Sequence, residues 1–409
     1  MARFVRLSYQ KGRPIIAVTV NYRLGPPGLL NSREMREEGY LANNCLRDQR
    51  VAIEWVRKFI GGFGGDSENI TLAGESAGAI SCSYHLQSKV PLFRRVMLMS
   101  GTNLLIPPLP LEVAEQSFAS AVKALGLEEK SVGERMERLR SIDAADLRGK
   151  LMMIPMLPVV DDELPVAGHS FADFHAGTSG GTVDIAGAKW CESMMIGDCA
   201  FDGNIQGLRL GHRKKGIGKA FCDAVKSSSL NPEQAETLLK GYDMTPDLDE
   251  ETAFERVLQT LNDIGFYAPT LAFAEGLRSR MKTYVYRFNE PNPWAGPWQG
   301  RTNHILDIAF FLQNFNEFLD DAQRSTAEAF AVSVFKFVTG EVPWKASRNE
   351  GHGKVAMVLG PQGTGEVVED VPGETGRRAI LLDLAEEVEG GMDRLGEVLN
   401  AFLRGPPAS

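Results

Sequence analysis

The sequence predicts an α/β fold in which a mostly parallel sheet carries helices on both faces. Two observations support this: apolar β-branched runs alternate with segments of helical spacing, and the runs at 14–20, 70–72, 95–100 and 194–198 are apolar at nearly every position. Strands that are covered on both faces have this composition. With 409 residues, 43% hydrophobic and 24% charged, the chain can form a large core. We expect a single domain over residues 1–409.

The elements follow from periodicity, taken in chain order. Residues 14–20 should form a central strand, and 46–60 an amphipathic helix that packs on the sheet. Charged segments of helical pattern between sheet strands predict two helical insertions, at about 111–150 and 204–279. The expected later elements are a strand at 282–288, a helix at 307–339, a flexible surface loop at 360–372, a short strand at 378–383 and a charged helix that ends near 403.

Charge and composition exclude several classes of protein. A net charge of −9 argues against a nucleic-acid partner, and the one basic run, 213–215, is typical of a solvated turn. No stretch has the 18 or more apolar residues of a membrane span. The first residues do not resemble a signal peptide, so the chain as written is predicted to be cytoplasmic. The five cysteines lack metal-type spacing, so we expect no metal or cofactor, and either a reduced compartment or one leftover thiol among disulfides.

The segment Gly74-Glu75-Ser76-Ala77-Gly78 is predicted to be a nucleophile elbow, since a β-branched run precedes it and a small-residue helix start follows. Both glycines are expected because the turn leaves no room for a Cβ. Ser76 would then lie at the tip. Ala77 would offer its N–H to an oxyanion, at the positive end of the following helix. The alternative is a tight structural turn without chemistry.

A serine nucleophile requires a histidine to accept its proton and a carboxylate to orient that histidine. In a hydrolase of this fold the order along the chain is serine, acid, histidine. Among six histidines, His304 is favoured, because it follows the 282–288 strand and precedes a helix. Asp198, Asp202 and Asp307 are candidates for the acid, of which Asp202 is best placed.

The remaining histidines are expected elsewhere. His85 should point away from the site, His169 and His175 precede the 194–198 strand, and His212 and His352 lie in surface-like surroundings.

Four blocks of sequence carry a resemblance to a known family. They are Asn21-Tyr-Arg-Leu-Gly25, Asp48-Gln49, Phe63-Gly-Gly-Asp66 and Leu72-Ala-Gly-Glu-Ser-Ala-Gly78. Together they resemble the type-B carboxylesterases and lipases, which include cholinesterases and many fungal esterases, and the likeness extends from about residue 14 to 344. The resemblance implies an α/β-hydrolase fold and a serine carboxylesterase with Ser76, Asp202 and His304 as triad, acting on a small-molecule ester. Aspartate stands at 202 where the family usually has glutamate.

The resemblance also implies an incomplete N-terminus. The family's His-Gly-Gly-Gly loop, which supplies two oxyanion N–H groups, precedes the Asn21 block, and the first 20 residues contain no such loop. The strand that leads to that loop would lie between 14–20 and 70–72, so its loss should leave a gap or force an unusual pairing. The full protein would be secreted if an upstream segment is missing.

Two questions of function stay open at this point. The alternative to an active esterase is a catalytically impaired esterase-like protein that acts at most as a binding module. Glu75, beside the nucleophile, is a candidate for the substrate pocket, where it would favour a cationic intermediate, or for a structural ion pair.

Overall fold

The protein is described from a computed structural model that covers residues 1–162, 164, 166–178, 183–346, 355–361, 365–369 and 376–405. The strands in this part of the chain are β1 (Thr71–Glu75), β2 (Arg95–Met99), β3 (Ser193–Cys199), β4 (Lys282–Phe288), β5 (Val355–Leu359) and β6 (Gly365–Glu369). The helices are α1 (Ala2–Gln10), α2 (Pro26–Leu29), α3 (Arg33–Glu37), α4 (Asn44–Phe59), α5 (Ala77–His85), α6 (Leu111–Ala124), α7 (Val132–Ser141), α8 (Ala144–Leu151), α9 (Phe171–Thr178), α10 (Gly207–Leu210), α11 (Ile217–Lys226), α12 (Pro232–Gly241), α13 (Glu250–Asn262), α14 (Ala268–Leu277), α15 (Leu306–Phe311), α16 (Asp321–Thr339), α17 (Arg377–Glu387) and α18 (Gly391–Arg404).

The strands form one sheet in the order β1-β2-β3-β4-β5-β6. The first five run parallel, and β6 pairs antiparallel with β5. The predicted strands at 95–100, 194–198 and 282–288 are confirmed. All of β2 and β3 is buried, and in β4 only Lys282 is exposed. Coverage on both faces explains why their sequences are apolar at nearly every position.

Alternate side chains of the central strands enter two different cores. Met97 and Met195 pack with the aromatic side chains of α15 and α16 on one face of the sheet. Val96 and Ile196 pack with residues of α5, α9 and α14 on the other. This period of two places helices on both faces, as the sequence predicts. The helical insertions at 111–150 and 204–279 also appear, as α6 to α8 and α10 to α14.

The prediction of a central strand at 14–20 is wrong. This segment has no regular structure, and Ile16, Val18 and Val20 are each more than 40% exposed. A cavity of about 610 Å³, lined by 14–18 and by residues of β1, separates it from the sheet. Among the described residues β1 therefore pairs with β2 alone, and the expected gap beside it is present.

The open edge of β1 leaves backbone groups without a neighbouring strand. On the paired side of β1, the Ser76 N–H donates to the carbonyl of Met99 in β2, and the carbonyl of Ile70 accepts the N–H of Arg95, the first residue of β2. Successive residues of a strand direct their peptide groups to opposite sides, so Thr71, Ala73 and Glu75 direct theirs toward the cavity.

Three other expectations need correction. Residues 378–383 are helical, within α17, because Leu381 and Leu384 recur at helical spacing and are both buried. The helix expected at 307–339 is two helices, α15 and α16, and Asp320 caps the second by accepting the Gln323 N–H at 2.8 Å. Residues 365–369 of the expected loop form β6, while 362–364 and 370–372 lie outside the described residues.

The predicted helix at 46–60 is confirmed as α4, and the charged helix near the end as α18. No helix in the described ranges combines the length and the apolar character that a bilayer crossing requires.

Candidate active site

Ser76 lies in a sharp turn between β1 and α5, where its backbone has φ of 53° and ψ of −119°. A positive φ is strained for a residue with a side chain. The turn is held by the Ser76 N–H, which donates to the carbonyl of Met99 at 2.8 Å. The strained strand–turn–helix geometry agrees with the predicted elbow.

The two glycines of the elbow have different roles. A Cβ on Gly74 would lie 2.2 Å from the backbone carbon of Gly78, so no side chain fits there. A Cβ on Gly78 would meet nothing within 4 Å. The expectation that the turn excludes a Cβ at both positions is therefore confirmed at Gly74 and wrong at Gly78.

His304 lies in the loop that follows β4, and its Nε2 is 2.9 Å from the hydroxyl of Ser76. The imidazole is buried. The backbone N–H of His304 donates to Oδ1 of Asn204 at 2.8 Å, which fixes the loop to the segment after β3. The next residue, Ile305, has φ of 74°. A β-branched residue in this region is an outlier that the surrounding structure must hold in place.

Asp202 lies just after β3 and is completely buried. Its Oδ1 is 2.7 Å from Nδ1 of His304, and its Oδ2 accepts the backbone N–H of Cys199 at 2.8 Å. Both carboxylate oxygens thus have partners, which fixes the side chain. The structure brings together three side chains that are more than 100 positions apart in sequence.

The other two candidate acids lie close by but have different partners. Asp198 forms a buried ion pair with Arg287. Asp307 Oδ2 accepts a hydrogen bond from the Tyr286 hydroxyl at 2.6 Å. Burial raises the pKa of Asp307 to about 6. Neither carboxylate bonds to the His304 ring.

Glu75 also approaches the histidine. Its Oε1 lies 3.2 Å from Nε2 of His304, yet this buried oxygen makes no hydrogen bond. Burial raises the pKa of Glu75 to about 8, against an opposing effect of His304. Glu75 also lines the 610 Å³ cavity beside β1. Both of the roles expected for Glu75, in a substrate pocket and in an ion pair, stay predictions.

Several charges act on the pKa of His304. Burial favours the neutral imidazole, but the hydrogen bond to Asp202 and the charges of Asp202, Glu75 and Asp307 outweigh it. The pKa of His304 is therefore raised above its ordinary value.

Ala77 is exposed and is the first residue of α5. An N–H in the first turn of a helix has no acceptor within that helix, and the helix dipole adds positive potential there. These properties fit the predicted oxyanion donor. Gly101 packs closely against the turn: a Cβ at this position would lie 2.6 Å from the carbonyl oxygen of Ser76.

Two residues that contact His304 were not predicted from the sequence. Asn204 holds the histidine loop, and the ring of Phe266 packs edge-on against the imidazole with centroids 5.4 Å apart. A polar residue two positions after the candidate acid is a weak signal for Asn204. No sequence signal pointed to Phe266.

The remaining histidines and the cysteines lie outside this group of contacts. His85 is buried and bonds through Nε2 to Gln49 at 3.0 Å, while His212 is exposed. His352 lies outside the described residues. All five cysteines are buried free thiols. In the described part of the chain no group of His, Cys, Asp and Glu side chains has the arrangement of a metal site.

The parallel sheet, the strained serine turn before α5, and an acid and a histidine after β3 and β4 define an α/β-hydrolase. Sequence comparison then gives the family. The chain belongs to the carboxylesterase family, because residues 7–354 match the model of that family.

Individual relatives agree with this assignment. The acylcarnitine hydrolase of Mus musculus is 27% identical over 311 residues, which cover 74% of this chain and 53% of that protein. Cholinesterase 2 of Branchiostoma lanceolatum is 28% identical over 308 residues, 69% of this chain and 88% of that protein. A solved carboxylesterase of Geobacillus stearothermophilus is 26% identical with a TM-score of 0.69 and covers 91% of this chain and 77% of its own. The chain thus spans about half the length of the mouse relative.

Proposed function

We propose that this protein hydrolyses carboxylic esters through an acyl-enzyme formed on Ser76. The observation that supports the proposal is the chain of contacts from Ser76 Oγ to His304 Nε2, 2.9 Å, and from His304 Nδ1 to Asp202 Oδ1, 2.7 Å. A serine hydroxyl is a poor nucleophile until a base accepts its proton, and this arrangement provides one.

Each residue has a defined part in the reaction. Ser76 Oγ attacks the ester carbonyl carbon while His304 Nε2 accepts the hydroxyl proton. The bond to the alcohol oxygen then breaks, and His304 returns the proton to the leaving alcohol. A water molecule then gives a proton to His304 and attacks the acyl carbon. The bond to Ser76 Oγ breaks, and His304 returns the proton to Ser76 as the carboxylic acid leaves.

The supporting groups stabilise the charges that develop in these steps. Asp202 holds the Nδ1–H of the imidazole and stabilises the imidazolium. The Ala77 N–H donates to the carbonyl oxygen as it becomes negative. The names of the relatives indicate different ester classes for different proteins, so the proposal for this chain extends to carboxylic esters in general.

Glu75 favours a second candidate, an esterase-like protein that binds esters without turning them over. Above its raised pKa of about 8, the Glu75 carboxylate is ionised and, at 3.2 Å from Nε2, would stabilise the protonated imidazole, which cannot accept a proton from Ser76. The first candidate requires that Nε2 be free to accept the serine proton at the pH of the assay.

Labelling with a fluorophosphonate, combined with p-nitrophenyl acetate hydrolysis, tests the proposal. We expect wild type to be labelled at one serine and to turn over, and Ser76→Ala to do neither. Ser81→Ala is the matched control, because Ser81 lies one turn further along α5 and bonds to Ala77 O and Gln49 rather than His304. Folded wild-type protein that is neither labelled nor active would refute the esterase and support the second candidate.

A further inference from the structure

The loop that carries Asp202 packs directly against the end of α13. The Gly203 N–H donates to Oδ1 of Asn262 at 2.9 Å, and the Asn262 amide nitrogen reaches the carbonyl of Ala200 at 3.4 Å. A Cβ on Gly203 would lie 2.2 Å from the carbonyl oxygen of Leu258. Asn262 therefore bonds to the loop on both sides of Asp202, and only a glycine permits this approach.

Asp263 determines which way the Asn262 amide faces. The amide nitrogen of Asn262 donates to Oδ1 of Asp263 at 2.9 Å. An ionised carboxylate only accepts hydrogen bonds, so it selects the NH₂ end of the amide. The amide oxygen must then face Gly203, whose backbone N–H is the donor. The partners of the amide oxygen and of the amide nitrogen thus select the same orientation of Asn262. Asn262 and Asp263 are both completely buried.

Three side chains donate hydrogen bonds to Asp263. Its oxygens accept from Arg377 Nε at 2.7 Å, Arg378 Nε at 2.8 Å and the Tyr242 hydroxyl at 3.2 Å. Burial opposes ionisation, but the two arginines outweigh it and lower the pKa of Asp263. The carboxylate therefore remains an acceptor over the whole physiological pH range.

The backbone at this point is irregular. Asp263–Tyr267 forms a π-helical turn between α13 and α14, and such turns are frequent at functional sites. Arg378 also stacks over the ring of Tyr267, at 4.0 Å from the centroid. Because Arg377 and Arg378 begin α17, a helix near the end of the chain is connected to the Asp202 loop through two buried polar residues.

We propose that Asn262 and Asp263 are positioning residues for Asp202, and that the arginine pair of α17 holds them in place. This inference rests on the proposed function in one respect, the role of Asp202. The Asn262 side chain bonds to Gly203, Ala200 and Asp263 and not to Ser76 or His304. The effect of Asn262 and Asp263 is transmitted through the Gly203 backbone to the carboxylate that holds Nδ1 of His304.

The titration of His304 reports this effect without requiring turnover. Asp202, Glu75 and Asp307 are the charged groups whose interactions raise its pKa, and an Asn262 variant keeps all three side chains. If the Asp202 loop loses its anchor, the hydrogen bond to Nδ1 weakens and the imidazole becomes a weaker base. A role confined to stability would leave the pKa of His304 unchanged in the folded protein.

The experiment is an NMR titration of the full chain labelled with ¹³C in its histidine rings, with the His304 signal assigned by its loss in His304→Gln. We expect Asn262→Ala to lower the pKa of His304 by at least half a unit. The kcat/KM should fall about 10- to 100-fold per labelled serine, with KM little changed. Gln259→Ala is the matched control on α13, because Gln259 bonds to Glu255 rather than to the loop, and it should behave as wild type.

Asn262→Leu keeps the branched outline of four heavy atoms but removes both hydrogen-bonding groups, and it is the variant to measure if Asn262→Ala does not fold. A folded Asn262 variant with an unshifted His304 pKa would overturn the inference, whether or not its activity falls. An inactive wild type in which Asn262→Ala still shifts the His304 pKa would separate the two proposals. It would remove the esterase function and support the positioning role.

Discussion

Replacing Gly203 by alanine tests how closely α13 must approach the loop that carries Asp202, the acid loop. The new Cβ would lie 2.2 Å from the Leu258 carbonyl oxygen and 2.8 Å from the Asn262 Cβ and backbone nitrogen. Ordinary contacts of a Cβ begin at 3.4 Å, so relief of the first contact requires a shift of 3.4 − 2.2 = 1.2 Å. The loop that carries Asp202 and the end of α13 must therefore separate by that distance. We expect the loop to move, because it is the shorter segment.

A displacement of about 1 Å at a positioned catalytic group can cost about 100-fold in rate, or roughly 2.7 kcal/mol of transition-state stabilisation. We therefore expect Gly203→Ala to lower kcat/KM for p-nitrophenyl acetate about 100-fold. The assay is normalised to folded, active protein by fluorophosphonate titration of Ser76.

Gly207→Ala is the control for this change, since Gly207 follows the same loop and a Cβ there would meet its nearest neighbour, a Trp298 ring atom, at 3.5 Å. It should retain activity within about threefold, because a contact of that length is ordinary. If Gly203→Ala also stays within threefold of wild type, the tight packing of α13 on the acid loop does not determine the position of Asp202, and the reasoning fails.

The remaining predictions concern the serine and histidine. Activity requires a neutral His304, whose pKa is raised, so kcat/KM should fall as the pH drops through a value above 6.5; a profile that is flat down to pH 5 would contradict this. Gly74→Ala should abolish labelling or folding because its Cβ overlaps Gly78, whereas Gly78→Ala should stay within about threefold of wild-type activity; equal losses would refute the distinction. Ile305→Gly should raise the free energy of unfolding by about 1 kcal/mol, because glycine adopts the positive φ of this position without strain. A lower melting temperature would show that the Ile305 side chain contributes more than the strain costs.

The proposed site residues could be predicted from the sequence because each follows a recognisable strand. The strands before Ser76, Asp202 and His304 are short apolar runs. The chain order of serine, acid and histidine, together with the position of His304 between the 282–288 strand and a helix, favoured this residue among the six histidines. Parallel strands place their carboxyl ends at one edge of the sheet, which is why residues so far apart meet.

The strand predictions failed where composition was ambiguous. The β-branched run at 14–20 has the composition of a buried strand, but strand formation depends on a neighbour at hydrogen-bonding distance, which local sequence does not report. The 378–383 run is too short for its period to separate helix from strand. Leu381 in this run and Leu384 just after it are buried and pack on the helical core formed by α11 to α13 and α18.

The supporting residues could not be predicted for a different reason. Asn262 lies 59 positions after Gly203, and its role depends on the exact approach of one helix to one loop. A buried asparagine beside an aspartate has no distinctive pattern in sequence. Only the three-dimensional arrangement shows that its two ends face different partners.

The position of β1 at the margin of the sheet has a consequence for heat inactivation. The strands that precede Asp202 and His304, β3 and β4, are flanked on both sides, whereas the strand that precedes Ser76 has a neighbour on one side among the described residues. On heating, fraying should begin at this margin and release the nucleophile while the acid and histidine are still in register. Hydrolysis should therefore be lost at a lower temperature than the bulk of the helical circular-dichroism signal.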